Sequence, residues 1–204
     1  MLAPSAPFYA LMLFLFGGLW LSLWRRSWRL FGLIPLTIGL LLWNTDERAD
    51  VLIDREGAVA AVRTVSGALA FTDEHPTYTA EMWLLHDGDM RVPKEAAISA
   101  AIKCEKESCV YREKGRKVIA FPQTLAALAE DCEHAAIIVA TVPIPRRVRR
   151  RCGAELVIDK FDLWRNGAMS LTFEEDGEVR IATSRAARGE RPWARDPLKL
   201  AQSR

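Results

Sequence analysis

The chain has 204 residues, a formal net charge of +2 and four cysteines. Ala6 to Trp43 is almost wholly apolar, which leaves 160 residues from Thr45 to Arg204, enough for one domain with a sizeable core and too few for two. Charge is uneven: residues 45–145 carry 11 Lys/Arg against 17 Asp/Glu, and residues 146–204 carry 14 against 9. The domain therefore has an acidic half and a basic half.

In chain order, Ala6 to Trp24 gives 19 residues without a charge, enough to cross a hydrocarbon core of about 30 Å at about 1.5 Å per residue. Leu30 to Trp43 is shorter, 14 residues with Pro35 inside it, and needs its flanks or protein neighbours to span. Arg25, Arg26 and Arg29 fill the connection, which the positive-inside rule assigns to the cytoplasm. The expectation is a transmembrane helical hairpin over residues 1–44, with helices near 6–24 and 30–43 and Trp20, Trp24, Trp28 and Trp43 as interfacial anchors. The chain then reads as a multi-pass protein of the inner (plasma) membrane, with a domain over 45–185 on the periplasmic or extracellular side and an irregular basic tail over 186–204. A cleaved signal peptide fits less well, because the arginines follow the apolar run. A single anchor is the other alternative, with the second run half-buried.

Asp50–Gly57 and Ala58–Arg63 read as two strands joined at Glu56-Gly57, and Gly67–Thr72 adds a third. Tyr78–His86 is ambiguous between helix and strand and ends on the turn signal Asp87-Gly88-Asp89. Lys94–Lys103 looks helical. Val118–Phe121, Pro122–Asp131 and Ala136–Thr141 read as strand, helix and buried strand, a βαβ-like unit. Leu156–Asp159 is a further strand, and Ala168–Phe173 with Val179–Thr183 form a hairpin across Glu174–Glu178. The fold class is α/β, with α+β as the alternative.

An even cysteine count outside the cytoplasm favours disulfides. Cys104 and Cys109 enclose the charged tip Glu105–Ser108, a loop one bridge can close, which leaves Cys132 and Cys152 for the other. Four cysteines permit three connectivities. A zinc site is the rival, but no second knuckle or histidine pair accompanies Cys104-x4-Cys109.

Asp50–Gly57, Trp83 near Asp87-Gly88-Asp89, Glu130-Asp131-Cys132, Ala136–Thr141, Val157–Asp159, Gly167-Ala168 and Arg191-Pro192-Trp193 together resemble the C-terminal region of ComEC-type competence proteins. In that family a multi-span channel carries single-stranded DNA into the cytoplasm, and a metallo-β-lactamase-like domain follows its last membrane helices. The resemblance implies a truncated domain of that type behind the final hairpin of a channel this sequence lacks. It implies as partners the lipid bilayer, a multi-span channel protein and single-stranded DNA.

The family's His-x-His-x-Asp-His metal signature is absent, and His75, His86 and His134 are isolated from one another. No metal and no cofactor are therefore expected, and the reading leans away from an enzyme. His86-Asp87-Gly88-Asp89 is an ordinary polar turn rather than a ligand set, since metal sites draw ligands from several elements. Asp159 and Asp162 stand after a strand, where active-site groups often lie, with no legible partner; Asp162 also suits a helix cap. No serine has a Gly-x-Ser-x-Gly setting. The feature suited to a polyanion is Arg146, Arg147, Arg149, Arg150 and Arg151 in a proline-bounded loop, which can pair phosphates without reading sequence. Arg185, Arg188, Arg191 and Arg195 extend it, with Trp193 as a stacking face. A solvated loop or lipid head groups are the competing uses of that run. The expected function is a non-catalytic domain related to DNA-uptake channels that contacts single-stranded DNA. The alternatives are a metal-dependent hydrolase or nuclease and a structural fragment without activity of its own.

Overall fold

The computed structural model describes residues 8–42, 48–73, 77–97, 99–174 and 176–189. The chain forms two compact units, Met1–Arg48 with Leu85–Met90, and Ala49–Leu84 with Arg91–Arg204.

The first unit contains α1 (Phe8–Leu23), a 3-10 segment (Ser27–Gly32) and α2 (Leu33–Leu42). The two helices meet through glycines: a Cβ on Gly17 would lie 2.7 Å from the Gly32 carbonyl oxygen, and one on Gly39 would lie 2.9 Å from that of Ala10. Backbone thus approaches backbone where no side chain fits. The Trp20 indole N–H donates to the Trp28 carbonyl at 3.0 Å. Large apolar side chains, among them Phe8, Phe16, Leu19 and Leu40, remain exposed.

The expected membrane hairpin is not found: among the described residues no helix is long and apolar enough to cross a membrane. At about 1.5 Å per residue, the 16 residues of α1 reach about 24 Å, short of a core of about 30 Å. The second run loses its first residues to the tighter 3-10 segment, which leaves α2 with 10. The inner-membrane, multi-pass placement derived from two spans falls with them. The boundary at Asn44 and the anchor Trp43 lie outside the described residues.

The second unit is built on two five-stranded sheets. In chain order its elements are β1 (Val51–Ile53), β2 (Ala60–Arg63), β3 (Leu69–Phe71), α3 (Tyr78–Asp87, whose residues from Leu85 on count with the first unit), α4 (Pro93–Ala97), β4 (Ile102–Cys104), β5 (Ser108–Tyr111), β6 (Ile119–Pro122) and α5 (Leu125–His134). There follow β7 (Ile137–Val139), α6 (Arg146–Arg151), β8 (Leu156–Ile158), α7 (Lys160–Asn166), β9 (Met169–Phe173), β10 (Val179–Thr183) and α8 (Ser184–Arg188). The first sheet has the order β10-β9-β1-β2-β3 and is antiparallel throughout. The second has the order β4-β5-β6-β7-β8, antiparallel at β4-β5-β6 and parallel at β6-β7-β8.

One apolar cluster joins the facing sides of both sheets, with Val51, Ile53, Val62 and Leu171 from the first and Tyr111, Ile119, Ile137 and Ile158 from the second. Ala80, Leu84 and Ala96 of α3 and α4 cover the outer face of the first sheet beside Leu69 and Phe71. Leu128 of α5, with Ile144 and Val148, covers the outer face of the second beside Ala120, Ile138 and Val157. The layers therefore run helix, sheet, sheet, helix. Strands β6 and β7 are buried at every position because both of their faces are covered.

Two polar straps tie the sheets together. Asp50, 8% exposed, accepts from the Phe173 N–H at 2.8 Å and from Arg116 at 2.9 Å. Glu113 accepts from the Val65 N–H at 2.9 Å and from the Tyr111 hydroxyl at 2.8 Å. Those two donors hold the Glu113 carboxyl below its ordinary value, the Val65 N–H most strongly. Burial, then the bond to Glu113, pushes the Tyr111 hydroxyl well above its own.

Most expected elements stand. Tyr78–Asp87, ambiguous in the sequence, is a helix. The helix expected over Lys94–Lys103 stops at Ala97, and the chain turns into β4. The Cys104–Cys109 loop is the tip of the β4–β5 hairpin. The tail expected to be irregular from residue 186 continues α8 to Arg188, and residues 190–204 lie outside the described ones.

Candidate nucleic-acid interface

The arginine run expected as a loop is the helix α6. Nothing in its own composition stabilises it: like charges at i,i+3 and i,i+4 cost about 0.2–0.5 kcal/mol per pair, and the run has no apolar stripe. Its supports come from outside. Val148, the one apolar residue of the helix, is half-buried against the Ile144 and Val157 cluster.

Arg149 is the second support. Its Nη2 donates to the Val157 carbonyl at 2.7 Å and its Nη1 to Asp162 Oδ2 at 3.0 Å, with Asp159 Oδ2 at 4.0 Å. The third is covalent. Cys152, immediately after α6, is bridged to Cys132 in the last turn of α5.

The carboxylates that receive Arg149 are themselves fixed by the start of α7. Asp159 Oδ1 accepts from the N–H groups of Phe161 and Asp162, and the Asp162 side chain accepts from the Asp159 N–H, a reciprocal capping box. Asp159 Oδ2 also accepts from the Ile144 N–H at 3.4 Å. These bonds fix the Asp159 carboxylate beside Arg149. The cap belongs to Asp159 and its partner is Asp162, a spacing legible in the sequence once a helix is placed at residue 160.

With Arg149 engaged, the exposed side chains of Arg146, Arg147, Arg150 and Arg151 have no hydrogen-bond or ion-pair partner among the described residues. Four guanidinium groups without a partner among the described residues thus stand on one short, anchored helix, the donor chemistry that anions accept. Arg185 of α8 donates to the Arg165 carbonyl at 3.3 Å, and Arg188 donates to that of Ser184 at 3.1 Å. Arg191, Trp193 and Arg195 lie outside the described residues.

The chain matches no family model, no curated protein and no solved structure.

The remaining candidates resolve into structural roles. Cys104 and Cys109 form the second disulfide, directly across the β4–β5 pair. Both cysteine pairs favoured by spacing are therefore the bridges that form. No group of three His, Cys, Asp or Glu among the described residues is placed to hold a metal ion. His86 is exposed in the last turn of α3 and His134 at the end of α5, while His75 lies outside the described residues. Trp83 stacks on Phe71 at 6.3 Å between ring centroids. Asp50, Trp83 and Asp159, residues that carry the family resemblance, make contacts within the fold in this chain.

Proposed function

We propose that the globular unit is a binding module for the phosphate backbone of single-stranded nucleic acid. On this reading it is related to the C-terminal region of competence-type DNA-uptake proteins and works beside a channel. The observation that carries the reading is the division of labour within α6: Arg149 and Cys152 fix the helix, and four arginines are left uncompensated. Phosphates would relieve their mutual repulsion and release condensed counterions. Among the described residues those four have no carboxylate partner, which distinguishes α6 from a solvated ion-pair network.

The test is fluorescence anisotropy of the full chain with a single-stranded oligonucleotide at several salt concentrations. Each phosphate neutralised on a single strand contributes about 0.7 to the slope of log affinity against log salt. Replacing Arg146, Arg147, Arg150 and Arg151 by alanine should reduce that slope by about 3 while leaving the circular dichroism spectrum unchanged. Binding insensitive to both salt and the four substitutions would overturn the proposal. Stoichiometric zinc or manganese in the same sample would favour the hydrolase reading instead.

A further inference from the structure

The two sheets have four edge strands, and three of them are shielded. At β3 the Arg91 guanidinium donates to the Leu69 carbonyl at 2.9 Å. At β8 Arg149 does the same to the Val157 carbonyl. Strand β4 is only three residues long, and short edges are one way proteins avoid unwanted pairing.

Among the described residues strand β10 has none of these protections. It is five residues long and half-buried to exposed along its whole length, with Ile181 42% exposed. The Glu174 N–H donates to the Glu178 carbonyl and the Ser184 N–H to that of Ala168. The antiparallel pattern between those two bonds turns the main-chain groups of Arg180 and Ala182 toward β9 and those of Val179, Ile181 and Thr183 outward. The main-chain groups of Val179 and Ile181 and the Thr183 N–H have no partner among the described residues.

The flanks of β10 are opposite in charge. Before it stand Glu174, Asp176 and Glu178; after it stand Arg185 and Arg188. An antiparallel partner of the same sequence brings each acidic turn alongside the basic helix of the other copy. The edge is therefore complementary to itself under two-fold symmetry.

We propose that β10 pairs antiparallel with β10 of a second copy, centred on Ile181, to join two first sheets into one. This register matches the outward-facing groups apart from the Val179 N–H. The two Ile181 residues exchange reciprocal main-chain bonds, and each Thr183 N–H meets the Val179 carbonyl of the second copy. It also sets Ile181 against Ile181 and Arg180 against Ala182. A register centred on residue 180 would oppose two arginines instead, which is unfavourable.

Sedimentation equilibrium of the full chain in a nonionic detergent, over an about hundredfold concentration range, tests the pairing. A dimer is expected. Ile181→Pro removes an outward N–H and should weaken association at least about tenfold, and Arg188→Glu should weaken it less. Facing residues of such a pair lie about 5.5 Å apart at Cα, within the about 4.4–6.8 Å a disulfide spans. All four native cysteines are bridged, so Ile181→Cys adds a single thiol and should give a covalent dimer on mild oxidation. Val65→Cys, exposed on the β2–β3 turn, should not. The cysteine pair also decides the matter if the proline variant fails to fold. A monomer at every concentration, a dimer indifferent to Ile181→Pro, or equal crosslinking at positions 65 and 181 would overturn the proposal and leave β10 to a different protein or to none.

Discussion

The first sheet closes through contacts distant in sequence, with β1 at residues 51–53 lying beside β9 at residues 169–173. Its clasp is ionic: Asp50 receives the Phe173 N–H, 123 positions away, and Arg116. The second sheet is assembled from neighbours in sequence, the β4–β5 hairpin and the β6–α5–β7 crossover, and both disulfides of the chain lie in it or on its helices. Where strands are joined locally, the covalent bonds limit how far the unfolded chain can wander. Where they are joined over long range, a buried carboxylate selects the native pairing. The two sheets should therefore fail under different conditions.

The largest expected effect is on the ionic side. Asp50→Ala leaves the Phe173 N–H and the Arg116 guanidinium without their acceptor, and hydrogen bonds to a charged group are worth about 1.5–3 kcal/mol each, so about 4 kcal/mol should be lost in urea unfolding. Asp50→Asn keeps an acceptor for the N–H and should lose about half of that. Equal stability of the alanine variant and the parent would remove the clasp from the comparison.

Next comes the bridge between α5 and the end of α6. Cys132 and Cys152 are 20 residues apart, and replacing both by alanine should cost about 3 kcal/mol through the loop entropy returned to the unfolded chain. Amide exchange should rise in α5, α6 and β8 and stay unchanged at the β1–β9 pair. Exchange that rises equally in both sheets would show them to be one cooperative unit. The Cys104–Cys109 bridge closes a separation of only 5, so its removal should cost about 2 kcal/mol or less.

The same contrast explains what the sequence makes legible. The β6–α5–β7 unit is readable because Ile137–Val139 is a continuous apolar run, although α5 begins at Leu125 behind its Thr124 cap rather than at Pro122. The β9–β10 hairpin is readable from the turn around Asp176-Gly177. Helix α6 is not, because its stability lies in Arg149, Cys152 and their distant partners rather than in apolar periodicity. The β4–β5 hairpin is hidden because two of the three β4 positions are exposed and polar or disulfide-bonded. The candidate interface is half legible: the charge run names its residues, but only the Asp159–Asp162 capping box separates the anchored Arg149 from the four arginines without a partner among the described residues. The second apolar run misleads for a local reason, since the 3-10 segment takes its beginning.

The smallest expected effect concerns the second strap, and its sign follows from which form the fold prefers. Glu113 is held below its ordinary value of 4.5 by the Val65 N–H and the Tyr111 hydroxyl. Its contribution is therefore complete above pH 4.5 and is lost as pH falls through the lower folded value. Tyr111 is raised above its ordinary 10.0, so its contribution is complete below pH 10.0 and is lost as pH rises beyond it. Glu113→Gln should flatten the acid limb of a stability-against-pH curve, and Tyr111→Phe should flatten the alkaline limb. Because Glu113 also raises Tyr111 through its hydrogen bond and its charge, Glu113→Gln should make the alkaline limb shallower as well. A variant that flattens the acid limb and leaves the alkaline one unchanged would mean that the two groups act separately, and the strap would reduce to the single bond between Glu113 and the Val65 N–H.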